Sequence, residues 1–241
     1  YSDVITMRHP QMHSLEEFAK GSTVPVINGG DGANEHPTQA LLDLFTIQSE
    51  MKPHGKTLDG INITLMGDLK HGRTVHSLSK LLSLYKDVHI TMIAPTALQM
   101  PDNVIDILDN AGHKVTQTDS IAGNLACDVI YQTRIQQERF ASPDEADLYR
   151  GHFSLNKEVY HQYCKEHTVI MHPLPRDSRP EANELDNDLN DLENLAIFRQ
   201  AQNGVLVRMA LFALALGVED KLSQYERPVT WYSNKSPLTS A

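Results

Sequence analysis

Ile61-Asn62-Ile63-Thr64-Leu65-Met66-Gly67-Asp68-Leu69-Lys70-His71-Gly72-Arg73-Thr74 is the stretch on which the fold turns. Its first six residues read as a strand, and Gly67 to Gly72 reads as a loop. A helical pattern, Thr74–Tyr85, follows. Strand, glycine loop and helix in that order open a βαβ unit. The same order recurs on both sides. Further β-like runs are Val4–Met7, Val24–Asn28, Val88–Ala94, Lys114–Thr118, Asp128–Thr133 and Thr168–Met171. Helical patterns lie between and beyond them at Ser14–Lys20, Pro37–Met51, Pro101–Asn110, Asn156–Glu166 and Phe198–Leu216. Strands alternating with helices predict an α/β protein whose parallel sheets are covered on both faces. No repeat of solenoid period is present.

Composition narrows the function. The chain has 241 residues and a formal net charge of -10, which argues against a general nucleic-acid binder. An anionic substrate stays open, because a few nearby cations set the field of a pocket. The two cysteines, Cys127 and Cys164, form no CxxC and read as inert cytosolic thiols. The 12 histidines show no HExxH or comparable spacing, so no metal site is expected. No signal peptide is visible. The longest apolar stretch, Val205–Gly217, is too short to span a bilayer, carries Arg208, and reads as a buried helix. A cytoplasmic protein without a membrane partner is expected. Lys52-Pro53-His54-Gly55-Lys56 is turn-rich and suggests a domain boundary. Asp177–Leu195 is acidic and reads as a solvated loop, and the tail beyond Gly217 as loosely ordered. Tyr1 runs almost directly into a strand, which looks like a start in mid-domain.

The polar motifs share one placement. Pro37 suits the first helical position, which makes His36 the N-cap and puts Gln39 in the first turn. One imidazole and one carboxamide then stand at the positive end of a helix, where a small electron-rich ligand fits. The Gly67–Thr74 loop, Thr133-Arg134-Ile135-Gln136 and His172-Pro173-Leu174-Pro175-Arg176 each follow a strand. Arg8 follows Met7 in the same way. In open α/β sheets, ligands bind at strand carboxyl ends, at a topological switch point. An arginine after a strand is usually a surface cation, and a cap-position histidine is usually structural. Arg8, Arg73 and Arg134 converging on one crevice of an acidic protein carry more weight. Their forked guanidinium groups match carboxylate and phosphate.

In these residues the chain resembles the catalytic chains of the aspartate carbamoyltransferase family. The likeness is carried by Met7-Arg8-His9-Pro10, Gly30-Asp31-Gly32, His36-Pro37-Thr38-Gln39-Ala40-Leu41-Leu42-Asp43, Gly67–Lys70 with Gly72–Ser77, Thr133–Gln136 with Glu138-Arg139, and His172–Arg176. It runs from Tyr1 to about Gly217. The resemblance implies two parallel-sheet, three-layer αβα domains, the first only partly present. Residues 1–52 would be the C-terminal half of a carbamoyl-phosphate-binding domain, and 53–195 an aspartate-binding domain. Residues 196–241 would be a helix returning to the first domain, plus a tail. The implied reaction moves the carbamoyl group of carbamoyl phosphate to the α-amine of L-aspartate, giving N-carbamoyl-L-aspartate in pyrimidine (UMP) synthesis. Carbamoyl phosphate would be bound by Arg8, His36, Gln39, Pro173, Leu174 and Pro175, with Arg8 and His36 catalytic. Aspartate would be bound by Arg73, Arg134 and Gln136. No cofactor is implied. A homotrimer is implied, with regulatory chains left open. The family's Ser-Thr-Arg-Thr phosphate motif and the lysine loop lent by a neighbouring subunit do not occur in this sequence. The chain on its own is therefore expected to be inactive. An ornithine carbamoyltransferase is the near alternative, but Pro173 stands where that enzyme resembles His-Cys-Leu-Pro. A non-catalytic homologue is the distant one.

Overall fold

The computed structural model describes residues 1–135, 149, 153–177, 179 and 182–224. Every strand pair in it is parallel. β1 (Ile5–His9) lies beside β2 (Val26–Asp31), with Ile5 opposite Val26. The other five strands are β3 (Asn62–Met66), β4 (His89–Ile93), β5 (Lys114–Thr118), β6 (Val129–Gln132) and β7 (Val169–Met171). They form one sheet in the order β5-β4-β3-β6-β7. The chain thus winds outward from β3 through β4 to β5, then returns to the other side of β3 with β6. The strand order reverses between β3 and β6, and that is the switch point at which a crevice opens.

Alternation along the strands sorts the core onto the two faces of this sheet. Ile63 and Leu65 of β3, Val129 and Tyr131 of β6, and Val169 and Met171 of β7 belong to one apolar cluster. Val75, Leu78 and Leu82 of α3 (Arg73–Leu82) complete that face, together with Val104 and Leu108 of α4 (Asp102–Asn110). Met66, Ile130 and Ile170 belong to the second cluster, with Tyr160 of α5 (Lys157–Tyr163). Burial on both faces is the reason these strands are apolar almost throughout. α1 (Ser14–Lys20) follows β1. α2 (Pro37–Met51) places Ile47 and Met51 in the first cluster, so it packs against the five-stranded sheet's layer as well as following β2.

α6 (Ile197–Leu216) lies along α2. Arg199 donates to both carboxylate oxygens of Glu50 at 2.6 and 2.8 Å, and Asn203 Nδ2 donates to Thr46 Oγ1 at 2.9 Å. A Cβ on Gly204 would come within 3.2 Å of Leu42 Cδ2, so the two helices approach closely there.

Among the described residues, the seven strands and six α-helices are the ones expected from periodicity, with ends displaced by a few residues. β2 runs on to Asp31 because the glycine-containing stretch still pairs, with Asp31 opposite His9. Arg8 consequently lies inside β1, not after it. α3 stops at Leu82, and Leu84 and Tyr85 close tighter three-residue turns onto Leu81 and Leu82.

Two expectations fail. The stretch 177–195 is not a solvated loop in its described part. Leu185, Leu189 and Leu195 are buried, and residues 194–196 run beside β7 through hydrogen bonds with Ile170. A short 3-10 helix, Asn187–Asp191, turns its acidic side chains outward while Leu189 enters the core. α6 is also not a buried helix. Only one stripe packs on α2, and Val205, Leu206, Met209 and Leu214 are exposed. A helix apolar on all sides cannot bury every face against a single neighbour. No helix among the described residues is long and apolar enough to cross a membrane.

The switch point depends on Gly67. Its φ is +117°, and a Cβ there would lie 2.2 Å from Thr133 O. Gly67→Ala is expected to force the ends of β3 and β6 apart. It should cost roughly 1–3 kcal/mol of stability, read as a lower urea midpoint with an unchanged m-value.

Candidate active site

The crevice at the carboxyl ends of β1, β3, β6 and β7 has a volume of about 230 Å³. One wall comes from the N-terminal segment and carries Arg8, His36 and Gln39. The opposite wall carries Arg73 and Thr74 at the start of α3, and Thr133 and Arg134 after β6. His172, Pro173, Leu174 and Pro175, which follow β7, close the third side.

His36 is the N-cap of α2 as expected, yet its side chain makes no capping bond. Its backbone N–H donates to Ser77 Oγ at 2.9 Å, which ties α2 to α3. Ser77 in turn donates to Glu35, which is also paired with Lys80. The His36 Nδ1 atom is buried without a hydrogen-bond partner. Burial, then the charges of Arg73, Arg208 and Arg8, push its pKa down to about 4. A neutral ring can present an N–H to an oxygen that gains negative charge.

Arg73 is clamped across the two walls. Its Nη1 donates to Gly32 O at 2.9 Å. A Cβ on Gly30 would sit 3.0 Å from the same nitrogen, so a side chain there would crowd the guanidinium. The loop before Arg73 is braced by Asp68, which is fully buried and accepts from the His71 N–H at 3.0 Å.

The turn after β7 is set by two buried groups. His172 Nδ1 accepts from the Leu174 N–H at 2.9 Å. The ring proton is therefore on Nε2, which donates to Glu184 Oε1 at 3.1 Å. The same Glu184 oxygen accepts from the Asp177 N–H at 2.8 Å. Burial lowers the His172 pKa against the opposing pull of Glu184. The Leu174–Pro175 bond is cis and Leu174 has φ of +55°. Neutral backbone carbonyls of this turn suit the N–H donors of an amide.

The structure brings together Arg8, His36, Gln39, Arg73, Arg134, Pro173, Leu174 and Pro175. Gln136 lies outside the described residues. Thr74, Thr133 and His172 also line the crevice without having been singled out. Arg208 of α6 was missed as well; it lines an adjoining cavity with Arg8 and His36. Thr74, Thr133 and His172 stand in the quoted motifs, so their place was readable. Arg208 and Glu184 carried no local signal. Among the described residues no cluster of three or more metal-ligating side chains occurs. Cys127 and Cys164 are free, and burial pushes their thiols up to about 11 and about 12, which keeps both protonated.

A parallel α/β scaffold with an arginine-lined crevice at its switch point is a binder of small anions. The comparisons with known proteins make this specific. The Asp/Orn-binding domain of aspartate/ornithine carbamoyltransferase matches residues 59–215, and the carbamoyl-P-binding domain of the same family matches residues 1–49. The aspartate carbamoyltransferase catalytic subunit of Cellvibrio japonicus is 63% identical over 97% of this chain and 70% of its own length. That of Saccharophagus degradans is 58% identical over 98% and 70%. The crystal structure of Trypanosoma cruzi aspartate transcarbamoylase in complex with carbamoyl phosphate and aspartate superposes with a TM-score of 0.79. It is 39% identical, over 90% of this chain and 67% of that one. The chain belongs to the aspartate/ornithine carbamoyltransferase family, and these relatives are on its aspartate branch.

In the folded state His36 holds fewer protons between pH 6.5 and about 4 than in the unfolded chain. Its stabilising contribution is therefore complete above pH 6.5 and is lost as the pH falls toward 4. The His36 ring resonances in a two-dimensional NMR titration should stay flat from pH 8 to 5.5. A midpoint near 6.5 would contradict a buried neutral ring.

Proposed function

We propose that this crevice transfers the carbamoyl group of carbamoyl phosphate to the α-amine of L-aspartate, releasing N-carbamoyl-L-aspartate and phosphate in de novo pyrimidine synthesis. The observation that carries the reading is the convergence of Arg8, neutral His36 and Gln39 with the Pro173–Pro175 turn, opposite Arg73 and Arg134. Arg8 and the His36 N–H donate to the carbamoyl oxygen. Gln39 and the carbonyls of the turn hold the carbamoyl amide. Arg73, Arg134 and Gln136 take the two carboxylates of aspartate.

The chemistry needs no covalent intermediate. The aspartate amine attacks the carbamoyl carbon, and negative charge grows on its oxygen, where the donors are already placed. The C–O bond to phosphate then breaks, and the departing phosphate takes the amine proton. Catalysis is positioning and charge stabilisation. Residues 1–52 supply the carbamoyl-phosphate wall and 53–195 the aspartate wall. The helix of 196–241 returns to the first unit, a division supported by its packing on α2. By family resemblance the intact protein works as a homotrimer in the cytoplasm. Pro173 in place of a cysteine favours aspartate over ornithine.

Colorimetric assay of the full-length protein tests the reading. Ureido product should form with L-aspartate and not with L-ornithine, and N-phosphonacetyl-L-aspartate should block it. His36→Ala should lower kcat by roughly 100- to 1,000-fold. Arg134→Ala should chiefly raise the KM for aspartate. Product from ornithine alone would overturn the assignment.

A further inference from the structure

Asp43 is a fully buried carboxylate beside the crevice, and nothing in the reaction above uses it. It lies on α2, one turn beyond Gln39, with a relative exposure of 0%. Its Oδ1 accepts from Gln39 Nε2 at 2.8 Å and from Gln200 Nε2 at 2.7 Å. Its Oδ2 accepts from the Tyr131 hydroxyl at 2.6 Å. The donors come from three elements: α2, α6 and β6. None of them is a cation.

A carboxylate held only by neutral donors is an expensive way to fill a core position. Burial pushes its pKa up to about 7, against the three hydrogen bonds. An apolar side chain of similar size would give a simpler core at less cost. The connections of the partners show what the carboxylate achieves. Gln39 is itself on the crevice wall, and committing its amide nitrogen to Asp43 leaves its carbonyl oxygen as the end for a ligand. Gln200 Oε1 accepts from the His172 N–H at 2.9 Å. His172 Nδ1 then holds the Leu174 N–H at 2.9 Å. One carboxyl therefore touches one wall directly and reaches the other through two side chains.

We propose that Asp43 is a positioning residue of the carbamoyl-phosphate site. Its carboxyl orients the Gln39 amide and, through Gln200 and His172, sets the Leu174–Pro175 turn at a fixed distance from it. The two groups that grip the carbamoyl amide are thereby placed from one point. This inference rests on the function proposed above. Tyr131 anchors the far side of the carboxyl to the sheet, and its hydroxyl also lies within reach of Gln39 and Thr74 on the crevice walls.

The variants separate positioning from bulk stability. Asp43→Ala and Gln200→Ala each break the link to the turn. Asp43→Asn keeps an oxygen for both glutamines, and the Tyr131 hydroxyl can turn to accept from the new amide. Tyr160→Phe removes a buried hydrogen bond to Thr168 O at the amino end of β7, away from both glutamines. Initial rates of the full-length protein are measured against each substrate, beside urea midpoints. Asp43→Ala and Gln200→Ala are expected to raise the KM for carbamoyl phosphate and lower kcat. The combined loss should be roughly 10- to 100-fold, with the KM for aspartate changed less than about twofold. Asp43→Asn should recover most of the loss. Tyr160→Phe should lower the urea midpoint and leave the rate constants near wild type. If Asp43→Ala does not fold, Gln200→Ala and Asp43→Asn decide. Wild-type constants in Gln200→Ala would overturn the positioning role alone. So would losses that follow the urea midpoint in every variant, Tyr160→Phe included. A wild-type protein with no carbamoyl transfer would overturn the function, and the positioning role with it.

Discussion

Parallel pairing of β3 with both β4 and β6 is the constraint on which the rest of the structure depends. Parallel neighbours need crossovers, and the crossovers supply helices to both faces. Because the winding changes direction at β3, the crossovers diverge there and leave the carboxyl ends of β3 and β6 uncovered. Gly67 lets those ends come together, since any side chain would strike the Thr133 backbone. Arg73 and Arg134 then project from adjacent strand ends into one space.

α2 joins this sheet to the two-stranded one. Its C-terminal half puts Ile47 and Met51 into the apolar layer of the five-stranded sheet. Its N-terminal turn carries His36 and Gln39 to the crevice. Ser77 and Glu35 fasten that turn to α3, and Arg73 reaches back to Gly32. The walls of the site are thus held by directional polar contacts over a shared apolar base. Such contacts fix distance and angle, which burial alone does not. That matters where small displacements of a donor change rate. The cationic crevice in a chain of net charge -10 follows from the same placement. Most carboxylates among the described residues lie on the outer surface, while Arg8, Arg73 and Arg134 meet at one edge.

Much of the fold was legible because its signals are local. Alternation and β-branched residues mark the strands, and Pro37 after His36 marks the start of α2. The position of each motif just after a strand was enough to predict a common edge. What stayed illegible depended on partners distant in the chain. Asp177–Leu195 reads as solvent-facing on average charge. Leu185 and Leu189 nevertheless enter the core, and Glu184 is drawn in by His172. α6 reads as buried on average hydropathy, although α2 covers only one of its stripes. Composition averages over the faces of an element, whereas packing acts on each face separately.

By itself the sequence determined the alternation of strands and helices, the parallel α/β class, the family, and a set of arginines, one histidine and one glutamine at strand and helix ends. Propensity, periodicity and motif are properties of neighbouring residues, so they can be read without a fold. The tertiary structure decided that His36 is neutral, because burial and three arginines from separate elements act on it together. It also decided that Asp43, Gln200, His172 and Glu184 form one buried polar chain beneath the crevice. Those four residues come from α2, α6 and the stretch after β7, and only folding brings them within hydrogen-bond reach.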